Sequence, residues 1–326
     1  MKSTSALFFA STILLSSPAL ADAPDVVASI KPVHSLVASI MEGVGTPSLI
    51  VEGGASPHTY NMKPSNAAAL QAAKVVFWVG PGLEAFLDKP LDALGGGAKV
   101  VELSEAAGVE TLKLREGGAF EAHADEEEEH GHGAEEAGHE GHGDHDDAHA
   151  EAAEHDHHHD EGEFDMHMWL DPLNAKAMAA EIEKTLAEVD PANAAAYQAN
   201  LEKFNQRIDA LDKRLAEMVA PVKDKPFIVF HDAYQYFEHR YKVQVAGSIT
   251  VSPEVLPGAE RLSQIHAKIE DLGATCVFAE PQFEPKLINV VIESTPAKSG
   301  TLDPEAATLD AGPDLYFQLM ENIGAS

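Results

Sequence analysis

The chain of 326 residues contains a single cysteine, Cys276. One cysteine excludes an internal disulfide, so stability must come from burial. Cys276 lies in the apolar run "CVFA" and reads as an inert core thiol. Basic residues are also scarce: 22 Lys and Arg stand against 54 Asp and Glu, a formal net charge of -32. That imbalance argues against nucleic acid as a partner and in favour of cations. No segment after the N-terminus has the ~20 uninterrupted apolar residues that a membrane helix needs. The paired spacing HExxH of zinc hydrolases is absent as well.

What is present begins with a secretory pattern. Lys2 gives the charged end, Ala6 to Leu15 the apolar stretch, and Ala19-Leu20-Ala21 a small-x-small cleavage site. Residues 1–21 are therefore expected to be a signal peptide. The mature chain would begin near Asp22 and be exported, soluble and periplasmic.

With 44% hydrophobic residues the remainder can bury a large core, and its length suggests two domains. Strand-like runs at 25–30, 47–53, 75–80 and 99–103 alternate with helical stretches. This βαβα series implies a parallel sheet covered by helices. The pattern then stops. Between Glu116 and Asp165 there are twenty Asp and Glu and no Lys or Arg, which is twenty of the thirty-two net charges. The same insertion, 116–163, holds eleven of the seventeen histidines. It has no apolar periodicity and reads as disordered.

Helical periodicity returns at Pro172. A second helix is expected from Pro191 to about Val219, with Leu201, Phe204, Ile208, Leu211, Leu215 and Val219 on one face. Strand-like runs resume at 227–230, 243–248, 275–280 and 297–302. The expected fold is thus α/β: two parallel-sheet lobes joined by one long rigid helix, with a site in the cleft. The boundaries are 22–190 for the first lobe, 191–220 for the helix and 221–326 for the second lobe.

Parallel sheets bind ligands beyond the carboxyl ends of their strands. That rule selects His58 in "VEGGASPHTY", His231 after "FIVF", Asp303 after "AKSGTL", and His167 in "FDMHMW". Three imidazoles with one carboxylate or water suit tetrahedral zinc, whereas manganese favours more carboxylates. A histidine at a strand end is, on spacing alone, as readily a core or surface residue.

The local sequences add to this. "GGASPHTYNMKPS", "FDMHMWLDP", "FIVFHDAYQYFE", "TCVFAEPQF" and "SGTLDP" occur in this order. Together they resemble the ZnuA-type zinc-binding proteins of ABC importers, within the cluster A-I metal solute-binding family, over essentially the mature chain. The resemblance implies two α/β lobes around a zinc site, with His58, His167 and His231 as ligands and Asp303 or water in the fourth position. It implies a monomeric periplasmic receptor that catalyses nothing and delivers Zn2+ to a membrane ABC permease.

Some relatives carry a Glu before the first histidine; here that residue is Pro57. Relatives also pair the cysteine of "TCVFAEPQF" with a later one, and none follows here. Asp171, Asp232 and Glu280 are candidates to orient the imidazoles, with helix capping the plainer reading of the first two. Trp169 and Phe230 would keep the site dry or serve as ordinary core. The insertion would capture or buffer metal weakly, because ordering it costs roughly 1–2 kcal/mol per residue. Rival readings are a manganese or iron receptor on the same fold, a zinc-dependent hydrolase, and an extracellular metal buffer.

Overall fold

A computed structural model describes residues 23–94, 97–115, 120, 164–250, 257–273, 276–283 and 286–326. The expected signal peptide and nearly all of the insertion lie outside the described residues.

The first sheet has four parallel strands: β1 (Val26–Ala28), β2 (Ser48–Leu49), β3 (Val75–Trp78) and β4 (Lys99–Glu102). Their order is β2-β1-β3-β4. The central strands β1 and β3 are buried at every residue. That is why they read as continuous apolar runs and not as alternation. The second sheet repeats the plan with β5 (Phe227–His231), β6 (Val245–Thr250), β7 (Cys276–Ala279) and β8 (Lys298–Thr301), ordered β6-β5-β7-β8. All of its pairings are parallel as well. Each of the eight strands falls within or overlaps a run identified in the sequence.

Nine helices occur among the described residues. They are α1 (Lys31–Ile40), α2 (Pro64–Ala72), α3 (Ala85–Leu94), α4 (Pro172–Val189), α5 (Ala194–Val219), α6 (Gln235–Tyr241), α7 (Ala259–Leu272), α8 (Lys286–Ile292) and α9 (Leu315–Ala325). The carboxylate of Asp171 accepts the Leu173 N–H at 2.7 Å and caps α4, with Pro172 at the first helical position. The long helix α5 starts at Ala194 instead of Pro191, after a turn that ends at Asn193. Its 26 residues extend ~39 Å. Phe204, Ile208, Leu211, Leu215 and Val219 are buried along it, joined by Tyr197, while Leu201 is only partly buried.

One apolar core runs from β1, β3 and α1 through α4 and α5 to α6 and α9. A smaller cluster lies under the second sheet, where Ile228, Phe230 and Val277 meet Ile265 and Ile269 of α7 and Ile288 of α8. Helix α9, the last in the sequence, packs back onto α5 and α1. There the Tyr316 N–H donates to Ser35 Oγ at 2.9 Å. The two sheets are therefore tied by more than the long helix.

Cys276 is a correction: it is exposed. Along β7, alternation puts Val277 in the smaller core and turns Cys276 to the other face. Cys276 there borders an apolar cavity of about 320 Å3 with Phe227, Phe278 and Ile323.

Candidate metal centre

Each of the three histidines is delivered by a different chain segment. His58 sits in the 3-10 turn Pro57–Thr59. His231 ends β5, the strand flanked by β6 and β7, where the order of the sheet reverses. This is where open parallel sheets form a crevice. His167 precedes the turn Met168–Leu170. Its segment is fixed by the Lys113–Phe164 bridge and by the Asp165 N–H, which donates to Leu112 O at 2.8 Å.

The rings converge on one point. His58 Nε2 and His231 Nε2 each lie 3.3 Å from His167 Nε2. Zinc–imidazole bonds of about 2.0–2.1 Å in a tetrahedron require N···N edges of about 3.3 Å. The apices of the three rings thus already stand at the spacing a zinc ion needs. Among the described residues this is the group of metal-ligating side chains drawn together closely enough to hold an ion.

Two carboxylates set the direction of the rings. Asp165 Oδ1 accepts from both the backbone N–H and Nδ1 of His167, at 2.9 and 2.8 Å. Glu280 follows β7 and places its two oxygens 2.7 and 2.8 Å from His231 Nδ1. With Nδ1–H bound to a carboxylate, each neutral ring presents the lone pair of Nε2 to the centre. Facing lone pairs 3.3 Å apart repel unless a cation or a proton lies between them.

The electrostatics agree. Burial and the neighbouring His167 and His231 hold the His58 imidazole well below its usual range. Burial also opposes charging of His231, but Glu280 outweighs it and raises the imidazole to about 9. In the absence of metal, a proton on His231 supplies the positive charge that the site favours.

Of the expected orienting groups, Glu280 takes that part. Asp171 is a helix cap. Asp232 instead pairs with Arg115, whose Nε lies 3.0 Å from Oδ2. Asp165 was not anticipated, although it stands only two residues before His167. Trp169 walls the site, with its ring centroid 5.3 Å from that of His167 and its Nε1–H donating to Pro304 O at 2.9 Å. Phe230 is ordinary core, stacked on Phe283 at 4.8 Å.

Asp303 is not brought into the group. Its Oδ1 accepts the Ala307 N–H at 2.9 Å, and its Oδ2 accepts from the Thr308 N–H and Oγ1, both at 3.2 Å. A different carboxylate approaches the imidazoles. Glu305 Oε1 lies 3.9 Å from His58 Nε2.

The zinc-uptake family model "Zinc-uptake complex component A periplasmic" matches residues 26–325. The chain belongs to the ZnuA family. The high-affinity zinc uptake system protein ZnuA of Brucella abortus (strain 2308) is 55% identical over 332 residues, covering 100% of this chain and 98% of the relative. The ZnuA of Yersinia pestis is 39% identical, covering 96% and 93% of the two chains. A crystal structure of a ZnuA superposes with a TM-score of 0.70 at 26% identity, covering 94% of this chain and 99% of the other. The expected architecture of two parallel-sheet lobes is the architecture of this family.

Proposed function

We propose that this chain is the zinc receptor of a membrane uptake system. It captures Zn2+ in the periplasm on His58, His167 and His231 and passes it to an ABC permease. The observation that carries this reading is the convergence of three Nε2 atoms at tetrahedral spacing, two of them aimed by buried carboxylates. Three nitrogen donors favour zinc over manganese. Residues 22–190 and 221–326 form the walls of the cleft, and residues 191–220 form its spine. The receptor acts as a monomer.

The insertion, 116–163, has an accessory role in this reading and supplies weak sites that buffer metal. The attachment of its ends supports that role. Arg115 pairs with Asp232, next to His231, and Asp165 holds His167. Metal released from the insertion would therefore enter solution close to the cleft.

The test is zinc titration of the purified protein at substoichiometric metal, repeated with manganese. One tight zinc site is expected, together with weak manganese binding. His167→Ala should abolish the tight site and leave only weak binding. Undiminished tight binding in that variant would refute the assignment.

A further inference from the structure

The three imidazoles form the base of a tetrahedron, and the fourth ligand remains to be identified. Pro57 leaves no carboxylate beside His58 in the sequence. Asp303 has both oxygens committed to the turn that follows it. We propose that Glu305 is the fourth ligand and completes the coordination of a zinc ion held by His58, His167 and His231. This inference rests on the three-histidine site proposed above.

Glu305 is buried, at 6% exposure. Its Oε1 lies 3.9 Å from His58 Nε2, little more than half an ångström beyond the tetrahedral edge. A small side-chain rotation closes that gap. Its other oxygen accepts the Gln282 amide at 3.3 Å. Among the described residues no lysine or arginine pairs with it. A buried carboxylate without a cation is costly, and a metal ion supplies the missing charge.

The turn that presents Glu305 is held from two sides. Trp169 Nε1–H donates to Pro304 O, the carbonyl just before Glu305. The Lys31 ammonium at the start of α1 donates to the carbonyls of Ala306, Ala307 and Leu309 at 3.0, 3.0 and 2.8 Å. Asp303 caps the same turn internally. A ligand on so constrained a turn is pre-positioned, which is what selective binding requires. In this arrangement Asp303 is a positioning residue, and Glu305 touches the metal.

The experiment compares the full chain with Glu305→Gln, Asp303→Asn and His231→Ala. Zinc at one equivalent is competed against a chelator of known affinity, and the visible bands of the Co2+-loaded proteins are recorded. Glu305→Gln should weaken zinc by at least about tenfold and shift the Co2+ bands, because an inner ligand changes. Asp303→Asn should stay within about threefold, with unshifted bands, because its amide oxygen still caps the turn. Wild-type affinity and bands in Glu305→Gln would overturn the proposal, as would shifted bands in Asp303→Asn alone. His231→Ala checks the underlying site. Retention of tight zinc and unchanged bands in that variant would show that the three-histidine reading itself had failed.

Discussion

Replacing Glu280 by Gln should change how zinc binding depends on pH. In the native protein Glu280 raises the His231 imidazole from its ordinary 6.5 to about 9 against the opposing effect of burial. A raised histidine pKa stabilises the metal-free fold fully below 6.5, and that contribution is lost as the pH rises through 9. Below about 9, zinc must displace the proton. At pH 7.5 that displacement costs about 2 kcal/mol, at 1.36 kcal/mol per pH unit. Glu280→Gln removes the cost by lowering the imidazole pKa. It also removes the carboxylate that makes the imidazole a better donor, a loss of about 10–100-fold in metal affinity. The two effects oppose each other below pH 9, and only the second persists above it. The affinity deficit of the variant should therefore be small near pH 7 and largest near pH 9.5. Calorimetry in buffers of different ionisation enthalpy reads the proton directly. Close to one proton should be released per zinc in the native protein at pH 7.5, and about none in the variant. Equal proton release in both, or a deficit independent of pH, would refute the reasoning.

Two further predictions concern the frame around the site. Glu84 is fully buried and accepts from Ser29 Oγ and from the backbone N–H groups of Val79 and Gly80, both at 3.0 Å. Glu84→Ala strands these donors and should cost about 3 kcal/mol or more in chemical denaturation, with zinc stoichiometry unchanged. Lys31→Met removes three hydrogen bonds to the 306–309 turn and should destabilise the protein by about 2 kcal/mol. Hydrogen exchange should also rise locally in that turn; a uniform change across the chain would contradict the anchoring role.

The strands were legible because parallel sheets bury both faces, so "VVFW" and "FIVF" stand out as unbroken apolar runs. The start of α5 was displaced because Pro191 suits a helix start, yet here it belongs to the preceding turn. Cys276 misled because a run of apolar residues does not say which of them faces a covered side. At the site, the three histidines could be placed from strand-end logic and motif order. Their orienting partners were harder to find. Glu280 and His231 are 49 residues apart, and only the β5–β7 pairing makes them neighbours.

The sequence by itself determined the chemistry available: neutral imidazoles at strand ends, an acidic cation-seeking chain, and two α/β lobes. These follow from local composition and periodicity, which are written in neighbouring residues. Only the tertiary structure decided which carboxylate serves which histidine. Asp303 and Glu305 are two residues apart and chemically alike. The choice between them depends on where a turn tied to Lys31 and Trp169 directs each side chain, 275 residues in sequence from one anchor and 135 from the other.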